Sequence, residues 1–354
     1  MPQKGPTAII CLSPYLGGME LDSIRLFKLL KESSSVLICQ KDSKLEKKAY
    51  EQLNDKDIES ISFSSNLGPA LIFGLRKIFK QRSIKNVIFF GASELKSIHF
   101  AIKNLGINLI VRHGTTKTHR KKDWFHRLIY SQVNWHVAVS DHILRNVRDI
   151  IPFAKHTQGK RIYLSRDIQE KPHVHDENKI KIINVGRVCE AKGQMEAIKA
   201  LKALKDNGTS FEMSFLGSFD EPFYEKLISK VKEYGLENQV TFHGHVDNVI
   251  EHISRSDVFL FPSYGEGLPN ALVEAMAMGL TPVVFENTVF PEIKDLGFYI
   301  FIAKNKDVES LRTHLLEVSQ DIQKCRKEAQ INKSLYKKYF TPELEKESYL
   351  EILK

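Results

Sequence analysis

No stretch of this chain approaches the ~20 consecutive apolar residues that a membrane-crossing helix requires. The opening MPQKGPTAII has neither the long apolar core nor the small-residue cleavage site of a secretory signal, and Ala8 to Leu12 reads as a first strand. Cysteine is scarce. Cys11, Cys39, Cys189 and Cys325 never fall into C-x-x-C spacing, and three lie in or beside apolar runs. That pattern argues against structural zinc and a disulfide framework, and for core thiols in a reducing cytoplasm. No Asp-x-Asp pair sits at the carboxyl end of a strand, so neither a metal site nor a cofactor is expected. No RNA-binding signature accompanies the basic residues.

What is present suits a soluble two-domain protein: 354 residues, 42% hydrophobic and 27% charged. Short runs rich in Val, Ile and Phe alternate with helical patterns along the whole length. The strands of the first half are AIICL, SVLIC, VIFFG, NLIVR and HVAVS. Those of the second are IKIINV, EMSFLG, QVTFHG, DVFLFP, TPVVF and FYIFI. Continuous rather than alternating apolar character marks parallel strands buried on both faces. The fold class is therefore α/β, with two Rossmann-like domains expected to face each other across a cleft. Their expected bounds are residues 1–168 on the acceptor side, a polar linker at 169–178, and a nucleotide-binding domain at 179–335. A final helix at 336–354 is expected to pack back on the first domain.

The densest chemistry lies in FPSYGEGLPNALVEAMAMG, where an apolar strand hands over to a helix. Pro269 suits a first helical turn, and free amides near Leu268, Asn270 and Ala271 would favour an anion such as phosphate. Gly265 and Gly267 allow close approach to the backbone. Glu266 and Glu274 would be repelled by phosphate but can hold hydroxyl groups on either side of it, as in a nucleotide-sugar. Read alone, Glu274 is equally a solvated helix residue and Glu266 a loop charge. The segment GRVCEAKG adds Arg187 at a strand end and Lys192 at a helix start, two cations able to neutralise a departing diphosphate.

The ordered set GRVCEAKG, FLGS, VTFHGHV and SYGEGLPNALVEAMAMG resembles retaining glycosyltransferase family 4, of the GT-B fold, with its Glu-x7-Glu spacing from Glu266 to Glu274. The resemblance covers the C-terminal half and, more weakly, the N-terminal half. It implies that Arg187 and Lys192 bind the donor diphosphate, that Glu274 holds the ribose, and that Glu266 sits at the donor sugar. It also places Gly217, Gly267, Leu268 and Asn270 in the donor site and His245 and Val246 at the base. In the first half it puts Gly17 and Gly18, of a GG-x-E pattern completed by Glu20, near the donor phosphates. His113, at a strand's carboxyl end, is expected to face the cleft and touch the donor sugar, a structural histidine being the alternative. Ser140 matches a family position and is also a plausible helix cap. Where relatives carry an Asn-Gly-Val-Asp-like turn before the second domain, this chain has YLSRD.

A net charge of +9 fits nucleic acid, an anionic membrane face or anionic small substrates. Lys117, Arg120, Lys121, Lys122 and Arg127 lie close in sequence to Trp124, Phe125, Tyr130 and Trp135. The mixture suits an anionic membrane surface or a phosphorylated glycolipid acceptor, and equally a helix with aromatics in the core and lysines in solvent. The expected activity is transfer of a hexose-type sugar, with retention, from a nucleotide-diphosphate sugar to a glycan or glycolipid of the bacterial envelope. The expected place is the cytoplasm, at or near the inner membrane. A sugar-nucleotide epimerase of the same fold, or a silent nucleotide-sugar- or glycan-binding protein, is the alternative; nucleic acid is not an expected partner. The base, sugar, linkage and acceptor are not legible.

Overall fold

The computed structural model describes residues 4–32, 34–169, 171–172 and 176–354. The chain divides into two compact units. Unit 1 runs to Tyr163 and takes in Pro342–Lys354, and unit 2 is Leu164–Thr341. The crossing at 163/164 and the return at 341/342 differ from the expected 168 and 336. Part of the expected linker, at 170 and 173–175, lies outside the described residues.

Unit 1 holds β1 (Thr7–Cys11), β2 (Ser34–Gln40), β3 (Ile58–Ile61), β4 (Asn86–Phe90), β5 (Asn108–His113), β6 (Val133–Ala138) and β7 (Gln158–Arg161). Unit 2 holds β8 (Ile180–Val185), β9 (Phe211–Leu216), β10 (Val240–Gly244), β11 (Val258–Phe261), β12 (Thr281–Phe285) and β13 (Phe301–Ala303). The first sheet is ordered β3-β2-β1-β4-β5-β6-β7 and the second β10-β9-β8-β11-β12-β13. Every named pairing is parallel. In each unit the strand order reverses beside the first strand, and the crevice beyond that switch point is where open α/β sheets bind ligands.

The apolar runs became central strands because helices cover both faces. β1 is buried throughout, as are β4, β11 and β12. The two strands that the hydrophobic runs did not reveal, IESI and QGKR, are edges, where half-burial removes the need for continuous apolar residues.

The terminal helix Pro342–Leu350 belongs to unit 1, where Tyr349, Ile352 and Leu353 join the core. Glu345 receives both arms of the Arg25 guanidinium, at 2.7 and 2.8 Å. Asp22 takes a further bond from Arg25 and pairs with Arg112 in the interior. Asn108 donates to the Ile352 carbonyl at 2.8 Å. Among the described residues no helix is long and apolar enough to cross a membrane.

Candidate functional site

In unit 2 the loops after β8 and β11 border the switch point, and one ion pair joins them. Lys192, in a short 3-10 turn ahead of the helix Gln194–Asp206, places Nζ 2.5 Å from Glu266 Oε1. Ser263 Oγ donates to the same oxygen at 2.5 Å. The Lys192 ammonium also lies 5.4 Å from the Phe261 ring centre. Both partners keep some contact with solvent, 26% for the Lys192 side chain and 13% for Glu266.

The backbone allows this approach because the residue after Lys192 is glycine. Gly193 has φ +68, and a Cβ there would fall 1.9 Å from the Pro262 carbonyl oxygen. Gly217, after β9, has φ +144, and its Cβ would meet the Gly186 carbonyl at 2.1 Å. Any larger residue would push the loops of the crevice apart.

Glu266 is also held from below. Its N–H donates to Thr288 Oγ1 at 3.0 Å, and that hydroxyl donates to Asn287 Oδ1. Asn287 Nδ2 closes the ring on the Ser263 carbonyl at 2.8 Å. Thr288 has φ +45, an outlier for a β-branched residue, the kind of strain that surrounding contacts sustain at functional positions.

The helix Asn270–Ala277 follows Pro269, which stands one position earlier than anticipated, as the N-cap. No side chain caps this end, so its amides keep their capacity for an anion. Leu268 is buried, and Asn270 is half-buried. Glu274 stands 3.6 Å from Arg166 Nε, the two side chains being 19% and 21% exposed. Burial raises its carboxyl above the ordinary range, and the Arg166 charge opposes that rise. Arg166 is anchored through its main chain, its N–H donating to Phe340 O at 3.2 Å and its carbonyl accepting the Tyr336 hydroxyl.

Arg187 is exposed, and its carbonyl accepts from Gln194 Nε2. His245 is largely exposed, 3.8 Å from Asp247, and Val246 is half-buried. Sequence reasoning missed Ser263, Asn287, Thr288 and Arg166. Ser263 sits inside the quoted SYGEG run, and Arg166 inside the YLSRD departure. Thr288 and Asn287 carried no local signal, since tertiary packing alone brings them beneath Glu266.

In unit 1, Gly17 caps the helix Gly18–Leu29, and Glu20 in its first turn is buried. His113 requires a correction. Its ring, expected to face the cleft, is 2% exposed and bonds His136 Nδ1 at 2.9 Å, so it offers no direct contact to a sugar in this arrangement. It ends β5 with its ring against His136, which in turn packs against Tyr130 and Phe153. Burial lowers both imidazoles, His136 to about 3. Ser140 accepts from the Ile143 N–H and acts as a helix cap. The basic–aromatic stretch splits: Tyr130 is buried, Phe125 and Trp135 are half-buried, and Trp124 is 77% exposed.

With two charged loops meeting at the switch point, comparison with known proteins is decisive for this part of the chain. Residues 165–335 match the family model of glycosyl transferases group 1. The amylovoran biosynthesis glycosyltransferase AmsK of Erwinia amylovora is 32% identical over 149 residues, 40% of this chain and 36% of that protein. The capsular polysaccharide biosynthesis glycosyltransferase CapH of Staphylococcus aureus is 32% identical over 138 residues, 39% of this chain and 38% of that protein. These alignments thus span little more than a third of the curated relatives' length. Anabaena HepE, solved with UDP and glucose, superposes with a TM-score of 0.78 at 15% identity, covering 98% of each chain. That likeness establishes the fold, GT-B, with two Rossmann-like parallel-sheet units. The glycosyl transferases group 1 region contains Arg166, Arg187, Lys192, Ser263, Glu266, Glu274, Asn287 and Thr288.

Proposed function

We propose that the protein is a retaining glycosyltransferase that moves a hexose-type sugar from a nucleotide-diphosphate sugar to a glycan or glycolipid of the bacterial envelope. The observation that carries the reading is the Lys192–Glu266 pair across the switch-point crevice of unit 2. Without ligand, the cation and carboxylate neutralise each other. A diphosphate competes for Lys192, with Arg187 and the amides near Leu268 and Asn270 as further donors. Glu266 is then released to a sugar hydroxyl, while Ser263, Asn287 and Thr288 hold it in place. Glu274, oriented by Arg166, takes the ribose hydroxyls, and the loop at His245 and Val246 takes the base.

Catalysis on this reading is chiefly stabilisation of the leaving diphosphate by fixed charges and amides. A donor phosphate oxygen accepts the acceptor's proton, so no carboxylate nucleophile is assigned. The relatives that name polysaccharide synthesis support an envelope acceptor, and the neighbour solved with UDP makes UDP the first base to try. The basic stretch of unit 1, Lys117, Arg120, Lys121, Lys122 and Arg127 with Trp124, is assigned to the acceptor side and a peripheral place at the inner membrane.

The test is thermal unfolding with UDP, GDP, ADP, dTDP and CMP on the native chain and on Lys192→Ala. A ligand at ~100 times its dissociation constant adds about 2.7 kcal/mol of stability. One nucleoside diphosphate should stabilise the native chain and not the variant. Stabilisation by none of them, alongside stabilisation by a glycan or lipid extract, would overturn the donor-site reading.

A further inference from the structure

Three helices of unit 1 lie side by side: Pro69–Gln81 packs against Leu95–Ala101, which packs against Trp124–Tyr130. Their sequences, PALIFGLRKIFKQ, LKSIHFA and WFHRLIY, contain no aspartate or glutamate. Each nevertheless presents large apolar side chains to solvent. Phe73 is 69% exposed, Phe100 38%, Trp124 77% and Leu128 44%. On the last helix Trp124 and Leu128 are four residues apart, and with Arg127 they occupy the outward side, while Ile129 and Tyr130 are buried.

Cations surround these residues. Lys77 and Arg127 are exposed, and Lys96, Lys121 and Lys122 are half-exposed. Among the described residues no carboxylate stands within ion-pair distance of any of them. The nearby Asp123 is engaged with His126. Beside Trp124–Tyr130 an open pocket of about 550 Å³ is lined by Lys122, Arg127, Arg148, Ile151, Pro152 and Phe153. Lys122 has a structural reason to be there, since its ammonium donates to the Arg148 carbonyl in the last turn of the helix Asp141–Ile150. That reason does not extend to Trp124, Phe73 or Leu128. Burial, with a smaller contribution from the Lys121 charge, lowers the Lys117 ammonium.

We propose that this face docks on an anionic phospholipid bilayer, with Trp124, Leu128 and Phe73 entering the interface and the Lys122–Arg127–Arg148 pocket seating a lipid phosphate. Charge complementarity fixes the sign of the partner, because cations without carboxylates meet lipid phosphates at roughly 1 kcal/mol each. The aliphatic and aromatic mixture fixes its kind. Leu128 gains nothing from a nucleobase but does gain from acyl chains, and an exposed indole with neighbouring cations matches the chemistry of the headgroup zone. The inference deepens the membrane assignment above and is independent of the donor site, so its test needs no nucleotide.

Trp124 and Trp135 are the two tryptophans of the chain, so Trp135→Phe leaves Trp124 as the sole reporter. At physiological salt, vesicles of phosphatidylcholine with phosphatidylglycerol should shift Trp124 emission to the blue and shield it from acrylamide. Pure phosphatidylcholine should do neither. Cosedimentation of the native chain with the same vesicles gives the partition coefficient. Lys122→Glu with Arg127→Glu should lower it about tenfold or more, with an unchanged melting temperature showing that the fold survives. Equal partition into neutral vesicles, no change in Trp124 emission, or quenching by an oligonucleotide where vesicles have no effect would each overturn the proposal.

Discussion

The two switch points share one strand order and differ in how their charges are used. Next to β1 in unit 1, Asp22, Arg25, Arg112 and Glu345 close on one another in the interior, the Asp22, Arg112 and Glu345 side chains being 5% exposed or less. The segment after β1, into the first turn of the helix Gly18–Leu29, exposes Tyr15, Leu16 and Met19 instead of charge. Next to β8 in unit 2, Lys192 with Glu266 at 2.5 Å and Arg166 with Glu274 at 3.6 Å remain partly open to water. The same pair chemistry is a fastener where the carboxylates are buried beneath guanidinium groups. It becomes an exchangeable site where a second ligand can displace one partner. Topology supplies the crevice, and the residues at its rim decide whether it binds.

The comparison is broken most severely by opening the fastener. Arg25→Ala leaves Glu345 buried without its bidentate partner and should lower stability by about 3 to 5 kcal/mol, read from the urea midpoint. The surviving fold should still respond to nucleoside diphosphate. Lys192→Ala should do the reverse. It should scarcely move the midpoint of the free protein, yet remove the ~2.7 kcal/mol of ligand stabilisation expected at saturating nucleotide. If the free variant were instead crippled, Lys192 would belong with Arg25 as a structural residue.

Acid sharpens the contrast between the units at a smaller scale. His113 and His136 have folded values below the ordinary histidine range because they are buried. Between the ordinary value near 6.5 and the low folded values, the unfolded chain binds protons that the fold refuses. Stability therefore falls as pH drops through that window, by about 1.4 kcal/mol per pH unit for each histidine that stays neutral. His136→Phe should flatten the slope of urea midpoints between pH 7 and 5; an unchanged slope would remove the pair from the account.

The smallest effect is the most diagnostic for the proposed exchange. Glu266→Ala frees Lys192 for phosphate, so nucleoside diphosphate binding by calorimetry should hold steady or tighten a few-fold while sugar transfer falls. Weakened binding would show that Glu266 supports Lys192 rather than competing with the ligand.

The continuous apolar runs named nearly all of the central strands, because burial on both faces leaves no polar alternative at those positions. IESI and QGKR escaped because an edge strand obeys a weaker rule. Glycine, glutamate and lysine spacing located the loops after β8 and β11, since a close backbone approach and a charged rim need particular residue types. The same spacing did not show that Lys192 and Glu266 touch, 74 residues apart, and position at a strand end set His113 facing the cleft where it is buried against His136.

Local periodicity and glycine placement, as properties of short segments, specify the central strands, their parallel class, the two-unit plan and the loops that carry charge. Which charges pair, which side chains are buried, and that Thr288, Asn287 and Arg166 support the two glutamates emerge only in the folded chain. Those outcomes depend on strand order and helix packing, which bring together residues that no sequence window contains.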